Sequence, residues 1–151
     1  MTDVEIEDAA WTEALPDAEA LVLEATEATL ASEGAVGEGV TLLLTDDATI
    51  GDLNRRFRQQ DRPTNVLSFP APQNPERFLG DIALAYGVCA REAQEQGKPL
   101  KHHLQHLVAH GVLHLLGYDH VSDAQADEME NLERAVLAGL GIPDPYLAGP
   151  R

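Results

Sequence analysis

Three histidines fall within one short stretch of this chain, His110-Gly-Val-Leu-His114-Leu-Leu-Gly117-Tyr-Asp-His120, at positions i, i+4 and i+10. On a helix of about 3.6 residues per turn the first two lie roughly 40° apart around the axis and one turn up, so both rings leave from one face. Gly117 is the expected end of that helix, since glycine readily takes the left-handed conformation that closes a C-terminus. His120, three residues on, then comes back within reach of the other two. Three neutral imidazoles with a fourth position left open describe a catalytic zinc site, whereas structural zinc sites are closed by four protein ligands, usually with cysteine among them. Cys89 is the only cysteine, which excludes a cysteine-based structural site. The plainer alternative, three hydrogen-bonded histidines on a buried helix, suits a lone histidine better than three at this spacing.

The spacing equals that of the H-E-x-x-H-x-x-G-x-x-H signature of metzincin proteases, but the position of their general base is Gly111 here. The metal cage is kept and the protease base is missing. Gly111 is expected to leave room beside the metal that a glutamate would fill, and to remove a negative charge from that place.

The elements that must carry these ligands follow from periodicity. The histidine helix, expected from Lys101 to Leu116, holds Leu104, Leu107, Val108, Leu113, Leu115 and Leu116. It is apolar almost all round and should be the central helix of the core. Val4 to Glu7 alternates as a short edge strand, and Gly39 to Thr45 reads as a buried strand between glycines and acidic turn residues. Val66 to Pro70 and Leu79 to Ala85 are two further strands, close enough in sequence to pair. Helices are expected at Pro16 to Ser32, Asp47 to Phe57 with Thr45 or Asp46 as cap, Tyr86 to Gln96, and Ala124 to Leu140 after Ser122 or Asp123. The order of elements predicts an α+β fold, a small mixed β-sheet packed with about five helices, the central buried one carrying the metal ligands. From Gly141 the Pro- and Gly-rich tail is expected to be loosely ordered.

A chain of 151 residues with 44% apolar content suits a single domain over 1–151. It has no leader-like segment and no run of about 20 apolar residues, so a membrane location is not expected. One cysteine fits a reducing cytoplasm, with Cys89 a small buried hydrophobe. The formal charge of −16 argues against the whole surface binding a polyanion. Yet four of the ten basic residues, Arg55, Arg56, Arg58 and Arg62, lie in one segment. Any polyanion is expected to bind there, with Arg55, Arg56 and Arg62 following its phosphate backbone.

That arginine segment, Leu53-Asn-Arg-Arg-Phe57-Arg58, is followed by Pro63-Thr-Asn-Val-Leu-Ser-Phe-Pro70, by Leu79-Gly-Asp-Ile82 and by the histidine block. Together and in this order they resemble the YbeY family of bacterial single-strand-specific endoribonucleases and ribosomal RNA maturation factors. The match spans the central and C-terminal two-thirds of the chain; Asn65 stands where the family often has Asp. The resemblance implies a zinc endonuclease acting on the ribosomal RNA precursor in small-subunit processing, with the small ribosomal subunit and assembly factors as partners. It implies one Zn2+ on His110, His114 and His120, with Arg58 as the functional arginine facing them; Arg58 and His114 are the residues on which catalysis should depend. Read as chemistry, the metal would activate water or polarise a phosphoryl oxygen, and Arg58 would grip phosphate with a permanently charged fork.

Two residues are expected to support the ligands from behind. His106, one turn before His110, is a candidate hydrogen-bond partner or proton shuttle, and Asp119 either fixes an imidazole tautomer or simply makes the turn. His102 and His103 are expected at the surface, and Thr64, Ser68 and Asp81 on the pocket wall. Two other readings stand beside the nuclease: an RNA- or ribosome-binding assembly factor with a structural metal, and a metalloprotease whose base comes from elsewhere.

Overall fold

In the computed structural model, residues 2–58 and 64–146 are described, Arg58 by its backbone alone. The element order is β1 (Thr2–Ile6), α1 (Ala10–Ala14), α2 (Ala18–Ser32), β2 (Gly39–Thr45), α3 (Asp47–Arg58), β3 (Val66–Pro70), β4 (Phe78–Ala85), α4 (Tyr86–Gln96), α5 (Leu100–Leu115) and α6 (Asp123–Gly139). The strands form one mixed sheet in the order β1-β2-β4-β3, with β1, β2 and β4 parallel and β3 antiparallel to β4. The α+β class is therefore as expected, as is the pairing of the two strands around Pro70 and Leu79.

Six helices stand among the described residues where about five were expected. The addition is α1, five residues long and too short to show a period. Its anchor is Trp11, fully buried, whose indole N–H donates to the Thr45 carbonyl at 3.0 Å and whose ring meets Tyr86 edge-on at 5.2 Å. The N-terminus of α3 is closed by Asp46, whose carboxylate accepts from the Thr49 amide at 2.7 Å. Asp46 has the short acceptor a helix start demands.

Strand alternation divides the core in two. Val40, Leu42, Leu44, Ile82 and Leu84 point to the face covered by α2 and α5, where they pack with Val22, Ala25, Leu104, Leu107, Val108 and Val112. Leu67, Ala83 and Ala85 point to the other face, against Ile50 and Leu53 of α3. Side chains such as Leu104, Val108 and Leu113, wholly removed from solvent, each contribute roughly 1.5–3 kcal/mol. The rotation of α5 on the sheet is thus firmly set.

Two glycines permit the close approaches. At Gly80 (φ 146°) a Cβ would run into the Phe69 carbonyl, beside the register shift where β4 joins β2. At Gly111 a Cβ would lie 3.0 and 3.2 Å from Ile82 methyl groups and 3.2 Å from the Ser68 hydroxyl. This corrects the expectation for Gly111: it leaves no room beside the histidines, because the sheet already fills that space, and its bare backbone lets α5 settle on β3 and β4.

Candidate metal centre

The end of α5 is closed as its sequence requires. Gly117 takes φ 105°, its N–H donates to His114 O at 3.0 Å, and the Tyr118 N–H reaches back to Leu113 O at 3.0 Å. This pair of bonds is the Schellman closure. Ser122 then starts α6 with a capping box, its hydroxyl accepting from the Gln125 amide while the Gln125 side chain accepts from the Ser122 amide. Between the two caps the chain is short and held at both ends, and that loop presents His120.

The three rings meet. Centroids of His110 and His114 lie 4.7 Å apart, His114 and His120 5.0 Å, and His110 and His120 5.5 Å. One ring nitrogen from each falls within 4.8 Å of the others, and no fourth histidine, cysteine or acid joins the group among the described residues. Zn–N bonds of about 2.0–2.1 Å in a tetrahedron put donor atoms roughly 3.4 Å apart, so the cluster needs only a small inward movement. The donor set suits zinc and other divalent ions that accept imidazole. Burial first, then the neighbouring His110 and His120, push His114 below the ordinary histidine range. Its lone pair is therefore free at neutral pH.

Behind the rings stands a residue that sequence reasoning missed. Glu133, on the inward face of α6 and fully buried, accepts from His110 Nδ1 at 2.8 Å and from His106 Nε2 at 2.6 Å, and the Tyr146 hydroxyl donates to the same carboxylate. Burial alone would raise its pKa; the hydrogen bonds from His106 and His110, the charge of His110 and the Tyr146 bond outweigh it and hold the carboxyl at about 2. The sequence signal was a glutamate on the apolar stripe Met129, Val136 and Leu137, where an acid has no place unless paired. The bond to Glu133 occupies Nδ1 of His110 and leaves Nε2 as the nitrogen available to a metal.

His106 does not join the three rings. It reaches His110 through Glu133, with its own Nδ1 buried and unpartnered. Asp119 is exposed and accepts the His120 amide at 2.7 Å, the geometry of a turn residue. His103 is not at the surface as expected. It is buried, with Nε2 2.8 Å from Glu92, and Glu92 also accepts from the Asn65 side chain at 3.0 Å. The reason is that α5 is covered on this flank by α4. Cys89 is buried as expected and donates to the Asn65 carbonyl.

Residues 141–146 are tied down. Ile142 is buried, Arg134 donates through Nε to both Asp144 oxygens at 3.0 and 3.1 Å, and Tyr146 meets the His106 ring edge-on at 5.3 Å. Residues 147–151 lie outside the described residues. A cleft of about 1040 Å³ opens along this flank from His110 past His106, His102 and Tyr146 to Lys98.

On the opposite side, Phe57 sets the last turn of α3 against Phe69, with ring centroids 5.6 Å apart. Because β3 is an edge strand, α3 ends beside the rim that α5 overlooks from the other face. The Arg58 side chain and all of Arg62 lie outside the described residues. Arg55 and Arg56 are exposed and both pair with Asp52, Arg56 at 3.2 Å. Ser68 lies on the α5 side of β3, its hydroxyl 3.2 Å from where a Cβ at Gly111 would stand. Asp81, registered opposite Phe69, points to the α3 side, so it does not share the histidines' face.

Comparison with known proteins agrees with this architecture. Residues 4–141 match the family described as Endoribonuclease YbeY. A protein of that name from Rhodopseudomonas palustris is 51% identical, covering 99% of this chain and 83% of the relative. Another from Cereibacter sphaeroides is 48% identical over 97% and 98%, and one from Azorhizobium caulinodans 52% identical over 95% and 94%. The solution structure of TM1509 from Thermotoga maritima superposes with a TM-score of 0.60 at 26% identity, covering both chains fully. The chain belongs to the YbeY endoribonuclease family.

Proposed function

We propose that this protein is a zinc-dependent, single-strand-specific endoribonuclease that hydrolyses RNA phosphodiester bonds in the maturation of ribosomal RNA. The observation that carries the reading is the convergence of His110, His114 and His120 without a fourth protein ligand among the described residues, the pattern of a catalytic rather than a structural zinc site. A zinc ion held there supplies Lewis acidity and a water activated near neutral pH.

The chain's own residues supply the rest. His110, His114 and His120 hold the ion and orient its open side. Arg58, leaving α3 at the β3 rim, grips the phosphate and stabilises charge that develops as the bond breaks. Arg55, Arg56 and Arg62 follow the neighbouring phosphates. Phe57, 65% exposed beside them, offers a stacking face to an unpaired base, which a duplex keeps within its own stack. The substrate is the ribosomal RNA precursor, met in the cytoplasm on the small subunit with its assembly factors, as the family resemblance implies. No helix among the described residues is long and apolar enough to cross a membrane.

The test is cleavage of single-stranded and duplex RNA by zinc-loaded protein freed of other nucleases. Wild type should cut the single strand, and His114→Ala and Arg58→Glu should each lose about 100-fold or more. Binding without cutting would point instead to an assembly factor with a structural metal, and casein digestion lost in His114→Ala would revive a protease.

A further inference from the structure

Of the four buried residues of α6, Met129, Glu133, Val136 and Leu137, only Glu133 is polar. Its two oxygens are divided: Oε2 takes His110 Nδ1, and Oε1 takes His106 Nε2 and the Tyr146 hydroxyl. A buried carboxylate can only accept, so each neutral imidazole must turn a protonated nitrogen toward it. His110 is thereby fixed with its proton on Nδ1. A free neutral imidazole favours the opposite tautomer, with the proton on Nε2, which would block the coordinating lone pair. Tyr146 reaches Glu133 because the segment after α6 is anchored by Ile142 and by the Arg134–Asp144 pair.

We propose that Glu133 is the positioning residue of the metal centre. It holds His110 in the tautomer that leaves Nε2 free and keeps that ring turned toward His114 and His120, while Tyr146 holds the carboxylate from the other side. This rests on the zinc reading and deepens it. A carboxylate behind a ligating histidine both orients the ring and raises its basicity, and loss of such a partner typically weakens metal binding about 10–100-fold.

The experiment is zinc affinity of the full-length chain by competition with a chromophoric chelator, paired with long-range nitrogen–proton NMR correlations that read the His110 tautomer in the metal-free protein. Wild type should bind one zinc and show His110 protonated on Nδ1. Glu133→Gln keeps an acceptor but loses the charge and should bind about 10-fold more weakly; Glu133→Leu should lose about 100-fold and move the His110 proton to Nε2. If Glu133→Leu does not fold, Glu133→Gln decides. A folded Glu133→Gln that binds zinc as tightly as wild type, or a wild-type His110 protonated on Nε2, overturns the proposal while the zinc reading stands. A wild type that takes no zinc overturns both, and is told apart because the wild-type arm itself fails.

Discussion

Gly111 lies against Ile82 so closely that an added Cβ would stand 3.0 Å from the isoleucine Cδ1. The glycine that separates this motif from the protease signature is therefore a packing contact between the histidine helix and the sheet. Gly111→Ala should lower stability by about 1–3 kcal/mol through overpacking, read as a lower urea midpoint with an unchanged slope. Unchanged stability would show that Ile82 yields freely. Gly111→Glu should fail to fold properly, so loss of RNA cleavage in that variant would say little about charge at the metal.

Exposure of Phe57 next to the arginines gives a second expectation. Phe57→Ala should weaken binding of a short unpaired RNA by about 1–3 kcal/mol, the usual worth of one base stacked on an aromatic ring, with zinc content unaltered. Equal affinity of variant and wild type, measured by fluorescence anisotropy, would remove the stacking role.

The helix closure predicts a coupled effect on fold and site. Gly117 has open space around it but φ 105°, so Gly117→Ala carries backbone strain and no clash. It should cost about 1 kcal/mol or more and, by loosening the turn that delivers His120, also weaken zinc binding. A variant with lower melting temperature and wild-type zinc affinity would separate the cap from the site.

Acid should destabilise the metal-free protein in a defined direction. In the unfolded chain a histidine titrates near pH 6.5, whereas burial and the adjacent rings hold folded His114 below that. Between the two values the unfolded state binds more protons, so stability falls as pH drops through and below about 6.5 and is not penalised above it. Denaturant midpoints of chelator-treated protein from pH 7.5 to 5 should decline, and less steeply in His114→Gln. Identical slopes would contradict the depressed value.

The convergence of His110, His114 and His120 and the turn that gathers them were legible because spacing and glycine placement are local signals. So were the four strands, which show as alternating residues at Val4 to Ile6 and Leu79 to Ala85, as an apolar run between Gly39 and Asp46, and as one stopped by Pro70. Glu133 was not, because its partners His106 and His110 lie more than twenty residues away and meet it only once α6 packs on α5. His103 read as a surface residue and proved buried because Glu92, on another helix, partners its Nε2. The direction of Gly111 likewise depended on which face of α5 meets β3 and β4. Tyr146 was hidden in a segment whose prolines and glycines suggested looseness, although its ring and hydroxyl are anchored by long-range contacts.

The central claim is that three imidazoles grip a single ion, and elemental analysis tests it most directly. Protein purified without added metal and passed through a mild chelating resin should carry about one zinc per chain, and a His110→Ala/His114→Ala/His120→Ala variant of intact fold should carry almost none. Wild type without metal, or a triple variant that retains it, would contradict the account.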